Sequence, residues 1–405
     1  MSSWRRLLAA AAVAALTLGA GAALVPAVAT AAPLYPVSDG DPFYTAPPGL
    51  AAHKPGDVLR VRQLPDNWQF PTSHVWQVLF RSTGAEGQPI AADTTYVLPN
   101  NHQPNGPLLS YQPIINALGT KCRVENELYT SDPLLQIRQA PALNVALLRG
   151  WAVSLPDHLG PDMEYGAARL GGQITLDGIR AVQRLPQFLV QRSPVALAGY
   201  SGGGLATAWA AAMARSYAPE LHIVGSAEGG VPMNLAKMAH ALADHPHPAF
   251  GLAFAAALGL ERAYPNQLDV TDQLNAQGRR LQHEIANGCT NEIMAFGAGH
   301  SAGQMTDNTN FMDDPAAWKL LNENSLELYQ GIPDMPIFEW HSPTDVLIPV
   351  DSIENTLHRY CQAGVKVESM QVPSPDHLSA AVIGSPAAFD WLADRFADAP
   401  APSNC

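Results

Sequence analysis

The segment with the clearest chemical content is Gly-Tyr-Ser-Gly-Gly at residues 199–203. An apolar run, Val195 to Gly199, leads into it, and an Ala-rich stretch, Leu205 to Ala214, leads out of it. A G-x-S-x-G motif between a strand and a helix holds its serine in a sharp turn at the helix N-terminus, where developing negative charge is favoured. We predict that Ser201 is a nucleophile and that the backbone N–H of Gly202 is an oxyanion donor. The motifs of phosphate-binding loops, G-x-x-x-x-G-K-[ST] and G-x-G-x-x-G, do not fit this segment.

A serine hydroxyl needs a base to take its proton, and in a strand–turn–helix arrangement of this type an acid and then a histidine follow the serine along the chain. Asp345 follows the predicted strand at 335–340 in a turn. That turn lies at the carboxyl edge of the strand, where sites form in α/β sheets. Asp351 is the main alternative, whereas Asp334 precedes the strand and falls at the opposite edge. Asp345 is therefore the predicted acid.

Two histidines follow Asp345 along the chain. His358 falls within a predicted helix. His377 ends a loop after the last predicted strand and leads into a helix, so its imidazole can reach the serine turn. We predict that His377 is the general base. His341 precedes the acid and is predicted to be a surface residue or a neighbour of the site.

The elements around these residues alternate between strands and helices. Two β-rich runs, 74–82 and 90–98, flank a turn and predict a hairpin. Short apolar runs and helical segments then alternate, as in βαβ units around a parallel sheet. Among the predicted helices are residues 128–139, 172–190, 205–214, 353–361 and 386–399. We predict an α/β-hydrolase fold, with a core over residues 32–232 and 331–405 and an inserted helical cap over residues 233–330.

The N-terminus has the parts of a secretory signal peptide. Arg5 and Arg6 precede an apolar run from Leu7 to Val25, and small residues follow. We predict that residues 1–31 are removed on export and that the mature protein is secreted. The alternative, an uncleaved membrane anchor, is disfavoured by the Ala- and Gly-rich run and its small-residue exit. No later run is long enough to span a membrane.

The chain has four cysteines, Cys122, Cys289, Cys361 and Cys405. None belongs to a C-x-x-C pair, which disfavours a zinc or redox site. An even number of cysteines in an exported chain predicts two disulfides. Spacing alone leaves the three possible connectivities open.

Composition restricts the partners of this chain. It has 405 residues, a formal net charge of −13 and only 15% charged residues. A negative chain without clusters of Lys and Arg is not expected to bind nucleic acid. The histidines at 240, 245 and 247 lie close together, but prolines flank the last two and no carboxylate stands at ligand spacing. We expect no metal, no cofactor and no stable protein partner.

Further segments, taken in order, resemble the secretory lipase family, a group of α/β-hydrolases that includes a fungal lipase A. The segments are Asp-Pro-Phe-Tyr at 41–44, Pro-Gly-Asp-Val-Leu-Arg at 55–60, Ser-Tyr-Gln at 110–112, Pro-Asp-His-Leu-Gly at 156–160 and Gly-Gly-Val-Pro at 229–232. The likeness covers nearly the whole mature chain. It implies a triad of Ser201, Asp345 and His377, and a helical cap between the serine and the acid. It also implies disulfides between Cys122 and Cys289 and between Cys361 and Cys405.

One residue departs from the family pattern. Family members commonly carry an acidic residue after the Ser-Tyr-Gln-like segment, whereas this chain has Pro113. Proline has no backbone N–H to donate. The second oxyanion donor is therefore open between the N–H groups of Gln112 and Ile114.

The predicted function is that of a secreted serine hydrolase, a lipase or carboxylesterase that cleaves carboxylic esters of lipids through an acyl-enzyme. The expected ligand is a lipid or other ester, met at a lipid–water interface. An apolar cap helix at 249–258 is expected to line the acyl-binding site. The alternatives are a peptidase or a cell-wall acyltransferase with the same triad, and a non-catalytic binding module. The module is disfavoured because serine, acid and histidine are all present in order.

Overall fold

The computed structural model describes residues 33–38, 40–130, 142–308 and 311–405. The predicted signal peptide, residues 1–31, lies outside the described residues, and so does most of the predicted helix at 128–139. Within the described ranges, no helix is long and apolar enough to cross a membrane.

The described residues form one nine-stranded sheet, in the order β1-β2-β3-β5-β4-β6-β7-β8-β9. The strands are β1 (Val58–Gln63), β2 (Ser73–Thr83), β3 (Pro89–Pro99), β4 (Leu108–Gln112), β5 (Ala152–Pro156), β6 (Val195–Tyr200), β7 (Ile223–Gly229), β8 (Ile337–His341) and β9 (Val367–Gln371). β1, β2, β3 and β5 pair antiparallel, and the sheet from β5 to β9 is parallel. The predicted hairpin is β2 with β3. β1 was not predicted as a strand, and it pairs with β2 at the edge of the sheet.

The α-helices of the described residues are α1 (Val124–Tyr129), α2 (Ala168–Gln183), α3 (Gly202–Tyr217), α4 (Leu235–Ala243), α5 (Phe250–Ala263), α6 (Val270–Gln273), α7 (Ala276–Ile285), α8 (Thr290–Gly297), α9 (Ala302–Met305), α10 (Pro315–Glu323), α11 (Val350–Gln362) and α12 (His377–Phe396). Residues 142–148 are also helical. Buried side chains of α2, α3 and α11 belong to one apolar cluster, and those of 142–148 and α12 belong to another. Apolar layers therefore cover both faces of the sheet, as a parallel sheet requires.

The sequence predicts a helix directly after His377 and a closing helix at 386–399, and in the structure these are one helix. α12 begins at His377, where the Asp376 side chain accepts from the N–H groups of Leu378 and Ser379. Pro386 lies inside the helix on an exposed position. A proline there removes one helical hydrogen bond. Packing of the helix against β6, β7 and β8 outweighs this local cost.

The segment between β7 and β8, where the cap is predicted, packs onto the core. Buried side chains such as Leu242 and Phe250 share one apolar cluster with Leu205 and Trp209 of α3. Arg262 of α5 is only 4% exposed. Its guanidinium donates to the carbonyl oxygens of Leu34, Leu118, Asp162, Met163 and Ala286. This one cation therefore ties the N-terminal arm, the core loops and the inserted helices together.

Two disulfides are present in the described residues. Cys122 bonds to Cys289, and Cys361 bonds to Cys405. This is the pairing that the family resemblance implies. The first bond joins the segment before α1 to the start of α8, and the second joins α11 to the C-terminus.

Two glutamates face each other inside the parallel sheet. Glu228 of β7 is in register with Glu339 of β8, and both are fully buried. Burial, reinforced by the neighbouring Glu339 charge, raises the pKa of Glu228 to about 8. The ordinary pKa of a glutamate is about 4.3 in unfolded chains. The folded protein must therefore either keep a proton on Glu228 or bear the cost of a buried charge.

Glu228→Gln should raise stability at alkaline pH and change it little at acid pH. A carboxyl whose pKa is raised by folding contributes its full stability below the unfolded pKa and loses it as pH rises toward the folded value. The stability of the native protein should thus fall between about pH 4.3 and pH 8. The variant escapes that loss, which is on the order of 5 kcal/mol at pH 8.5. Thermal unfolding at pH 5.0 and pH 8.5 measures the difference.

Glu284→Gln is the matched control, since Glu284 lies exposed on α7. Its effect should be small at both pH values. If Glu228→Gln has the same effect at pH 5.0 and pH 8.5, the pair does not hold a proton in the native state.

Candidate active site

The turn between β6 and α3 holds Ser201 in a backbone conformation that side-chain-bearing residues seldom adopt. Its φ is 55° and its ψ is −121°. The N–H of Ser201 donates to the carbonyl of Gly229 at 2.8 Å, and its own carbonyl accepts from Leu205 at 2.8 Å. A strained residue at a strand–helix turn is the expected geometry of a nucleophile elbow.

The elbow depends on a close approach of two backbones. Gly203, in the first turn of α3, faces the carbonyl oxygens of Gln112 and Pro113, where a Cβ atom would collide with main-chain atoms. Since backbone cannot move aside as a side chain can, only glycine fits. The elbow is thereby placed against the end of β4, which pairs with β6.

Asp345 and His377 form a buried hydrogen bond. The distance from His377 Nδ1 to Asp345 Oδ2 is 2.7 Å. The other carboxylate oxygen accepts from the N–H groups of Leu347 at 2.9 Å and Ile348 at 3.0 Å. Burial raises the pKa of Asp345, but the hydrogen bond and charge of His377 and these N–H donors outweigh it, and the pKa is lowered. An ionised carboxylate only accepts, so His377 carries its proton on Nδ1 and leaves a lone pair on Nε2.

Tyr200, the residue before the serine, contacts the histidine directly. Its hydroxyl donates to the carbonyl of His377 at 2.5 Å, and the two rings lie 5.0 Å apart. Gly230 packs closely against the imidazole, since a Cβ atom at this position would lie 2.9 Å from His377 Cε1. Tyr200 therefore links the elbow to the histidine.

His377 Nε2 is buried without a hydrogen-bond partner among the described residues, Ser201 included. In ligand-free enzymes such contacts are often long and tighten only with bound substrate.

The alternative acids and bases lie elsewhere. Asp351 binds Lys237 and is 62% exposed, and Asp334 is exposed. His358 contacts Gln362 on the exposed side of α11. His341, expected near the surface or the site, is buried and bound to Glu339 at 2.8 Å. Of the candidates the sequence offers, the structure brings together Asp345 and His377.

Ser201 opens onto an apolar cavity of about 160 Å³. Gly202 lines it beside the serine, and most of the remaining wall comes from the helices between β7 and β8. Phe250 and Phe254 of α5 lie in this wall, with ring centroids 5.8 Å apart. Ala253 and Ala257 share that helix face and also line the cavity. A space of this kind suits an extended hydrocarbon chain.

Two polar residues of the cavity wall were not singled out from the sequence. Asn116 lines the cavity with Ser201, and its Oδ1 is buried without a hydrogen-bond partner. The space that a side chain at Gly202 would take is filled by this amide. His158 also lines the cavity, and its Nε2 contacts the carbonyl of Pro113 at 2.9 Å. Burial lowers the pKa of His158 to about 4, so it is neutral at pH 7.

No sequence pattern predicted that Asn116 belongs to the site. It lies in a loop of seven residues between β4 and the next helical turn, and such a loop has no periodicity that assigns a direction to its side chains. Which residue of that loop reaches the cavity is decided by tertiary packing. Gln112, one of the two expected donors, is in sheet register with Gly199 and accepts from Thr207 through its side chain. The cavity wall contains Ile115 and Asn116 rather than Gln112 or Ile114.

Comparison with known proteins agrees with this geometry. The sequence model described as "Secretory lipase" matches residues 134–404. The chain belongs to the secretory lipase family. Lipase 1 of Candida albicans is 30% identical over 399 residues, which cover 90% of this chain and 82% of the relative. A probable trichothecene esterase of Stachybotrys chartarum is 31% identical, covering 90% and 78% of the two chains. A probable inactive lipase of Mycobacterium tuberculosis is 33% identical, covering 91% and 84%.

Among solved structures, Candida antarctica lipase A matches this secretory lipase with a TM-score of 0.83 and 27% identity, over 89% of this chain and 86% of that one. The match confirms the α/β-hydrolase fold predicted from the sequence. The rice cell wall degrading esterase of Xanthomonas oryzae, at 16% identity and a TM-score of 0.63, shares the fold. This member of the family is a lipase/esterase hydrolase.

Tyr200→Phe should slow ester hydrolysis while leaving the fold intact. The change removes one hydroxyl that fixes the His377 main chain, and a neutral hydrogen bond contributes about 1 kcal/mol. With His377 as the predicted base, a displaced imidazole costs rate, so kcat should fall roughly fivefold to tenfold with KM little changed. Steady-state kinetics on a soluble p-nitrophenyl ester measures both constants.

Tyr96→Phe is the matched control. The Tyr96 hydroxyl is also buried and donates to a main-chain carbonyl, that of Phe188, at 2.7 Å, but it lies outside the cavity wall. Both variants should lose similar thermal stability. An equal loss of kcat in the two would mean that Tyr200 acts on stability alone.

Proposed function

We propose that this chain is a secreted hydrolase of lipid esters that works through an acyl-enzyme on Ser201, with His377 as base and Asp345 as its partner. The observation that carries the proposal is the buried Asp345–His377 hydrogen bond, held by Tyr200 beside the strained elbow of Ser201. One relative is named a probable inactive lipase. The residues of the site, rather than family membership, therefore carry the mechanism.

Acylation begins when Ser201 Oγ attacks the carbonyl carbon of the ester. His377 Nε2 takes the hydroxyl proton, and Asp345 stabilises the imidazolium that forms. The tetrahedral intermediate collapses, the ester C–O bond breaks, and His377 returns the proton to the leaving alcohol. A water molecule then attacks the acyl carbon, gives a proton to His377 and releases the carboxylic acid, while the proton returns to Ser201 Oγ.

The negative oxygen of both intermediates needs hydrogen-bond donors. The N–H of Gly202 is the first, since it stands at the N-terminus of α3 next to the nucleophile. Asn116 is the second, because its side chain lies against Gly202 and lines the cavity with Ser201, and the N–H groups of its Nδ2 can donate. An amide in this place supplies a donor that Pro113 cannot supply.

The acyl chain of the substrate occupies the apolar cavity. Phe250, Ala253, Phe254 and Ala257 present one face of α5 to it, at the i, i+3, i+4, i+7 spacing of a helix face. A chain enters past Ser201 and replaces its contact with water by contact with these side chains. The inserted segment, predicted as a cap over residues 233–330, is in this proposal the acyl-binding element.

Secretion is part of the proposal. Residues 1–31 act as a signal peptide, and the two disulfides suit an oxidising exterior.

Ser201→Ala should abolish both covalent labelling and turnover. A fluorophosphonate reacts with an activated serine, so the native protein should be labelled at Ser201 and the variant should not be. Ester hydrolysis should fall by at least roughly 10⁴-fold, since without the nucleophile only binding and oxyanion contacts remain. Mass spectrometry of the labelled peptide locates the site. Labelling of the variant at another serine would refute the assignment.

Ala253→Phe should shorten the acyl chain that the enzyme accepts. The added ring projects from α5 into the cavity and takes space that a long chain needs. We expect kcat/KM for p-nitrophenyl palmitate to fall at least roughly tenfold and that for p-nitrophenyl butyrate to change less than about twofold. Ala241→Phe, on the exposed side of α4, is the control and should leave both esters unaffected. Equal losses on both esters would place the acyl chain elsewhere.

A further inference from the structure

The first half of α12 presents an unusual face to solvent. Its exposed positions are Leu378, Val382, Ile383 and Pro386, and all four are apolar. Leu378 is 67% exposed, Val382 75% and Ile383 52%. The outward face of a helix that packs on a sheet normally carries charged and polar residues.

The second half of the same helix follows the usual pattern. Its exposed positions include Asp390 and Asp394, while Trp391 and Leu392 are buried against the sheet. The apolar exposure is therefore confined to the end of α12 that begins at His377. Scattered exposed apolar residues are ordinary, but a contiguous set beside a functional site indicates an interaction surface.

A further apolar side chain joins this surface from the loop that follows β8 and contains Asp345, which we call the acid loop. Val346, the residue after Asp345, is 81% exposed. Val346 and Leu378 each directly follow a partner of the 2.7 Å hydrogen bond between Asp345 and His377, so both residues belong to the same edge of the site. We name the set Val346, Leu378, Val382 and Ile383 the rim patch.

The rim patch borders the substrate cavity. Leu347 and Ile348, which follow Val346 directly, line the cavity that contains Ser201. The acid loop thus passes from solvent to the cavity wall within two residues. Whatever covers the rim patch lies beside the path by which an ester reaches the serine.

We propose that the rim patch is the surface on which this enzyme docks to an uncharged lipid phase, so that esters pass from that phase directly into the cavity. The proposal rests on the proposed function, since it names the physical state of the substrate that the site takes. The side chains that flank the acid and the base lie in the lipid surface, and the charged second half of α12 stays in water.

The chemistry of the patch favours a fluid lipid surface over a protein partner. It consists of aliphatic side chains alone, whereas protein interfaces concentrate their binding energy in Trp, Tyr and Arg. A tightly bound protein on this face would also obstruct the cavity. Aliphatic chains gain free energy from any hydrocarbon they enter, without a fixed geometry.

The charges around the rim patch favour docking to a neutral lipid surface. The rim patch contains no Lys or Arg, and carboxylates lie at its edges, with Asp376 exposed before Leu378 and Asp390 exposed beyond Pro386. The formal net charge of the chain is −13. Basic residues are what attract proteins to anionic lipid, so an anionic surface should repel this face.

The experiment separates docking from catalysis by using the full-length mature protein with Ser201→Ala, which cannot consume the lipid. Its partition onto a triolein emulsion coated with phosphatidylcholine is measured by flotation. Val382→Ser/Ile383→Ser in the same background should weaken partition roughly tenfold, because two aliphatic side chains no longer enter the lipid. Replacing part of the coat by phosphatidylglycerol should weaken partition of the parent.

The control is Val145→Ser/Leu148→Ser, in the helical segment 142–148, where the two side chains are 38% and 78% exposed. It should partition like the parent. With Ser201 restored, Val382→Ser/Ile383→Ser should hydrolyse dissolved p-nitrophenyl butyrate at the native rate and emulsified triolein roughly tenfold more slowly.

Three results would overturn the inference. One is unchanged partition of the rim double variant, or an equal loss in the control. Another is tighter binding to the anionic coat. The third is a dimer in light scattering that the rim substitutions dissociate, since a second copy would then be the occupant. Failure of the proposed function has a different signature, namely no hydrolysis of the dissolved ester by the native protein.

Discussion

The arrangement of the site depends on one strained turn, at Ser201. The positive φ of this residue lets β6 pass directly into α3, and the absence of a side chain at Gly203 lets α3 approach the end of β4. The N–H of Ser201 is fixed by the last residue of β7, Gly229. Three parallel strands therefore converge on the turn. The strain, of order 1–3 kcal/mol for a residue in such a conformation, is stabilised by this surrounding structure, and it holds the hydroxyl exposed to the cavity at the helix N-terminus.

The histidine is positioned by contacts from three directions. Asp345 fixes Nδ1, Tyr200 fixes the main-chain carbonyl, and Asp376 caps the helix that His377 begins. The proton on Nδ1 leaves Nε2 as the basic nitrogen. Because Tyr200 is adjacent to Ser201 in the chain and bonded to His377, a displacement of the elbow would also displace His377. The site is thus coupled mechanically through one side chain rather than assembled from independent parts.

The inserted helices form most of the apolar cavity wall and are themselves held by polar contacts. Arg262 lies buried and satisfies five main-chain carbonyl oxygens from four separate parts of the chain. Burial lowers its pKa to about 10, and it remains charged at pH 7. The disulfide between Cys122 and Cys289 crosses the same junction, from the core to α8. A cavity wall made only of aliphatic contacts could slide, whereas directional hydrogen bonds and a covalent link fix its register.

The sequence by itself determined the elbow and the order of its partners. The elbow is a contiguous segment, and the partners can be found from their order along the chain. A short strand, a glycine-flanked serine and an Ala-rich helix are contiguous, and few acids or histidines follow at strand ends. Asp345 and His377 could be named on that basis. Only the tertiary structure decided that Asn116 reaches the cavity, that Glu228 meets Glu339 and that Arg262 joins four segments, since each depends on residues far apart in the chain. It also decided that α12 continues through Pro386 as a single helix. Packing on the sheet outweighed the local propensity that sequence patterns measure.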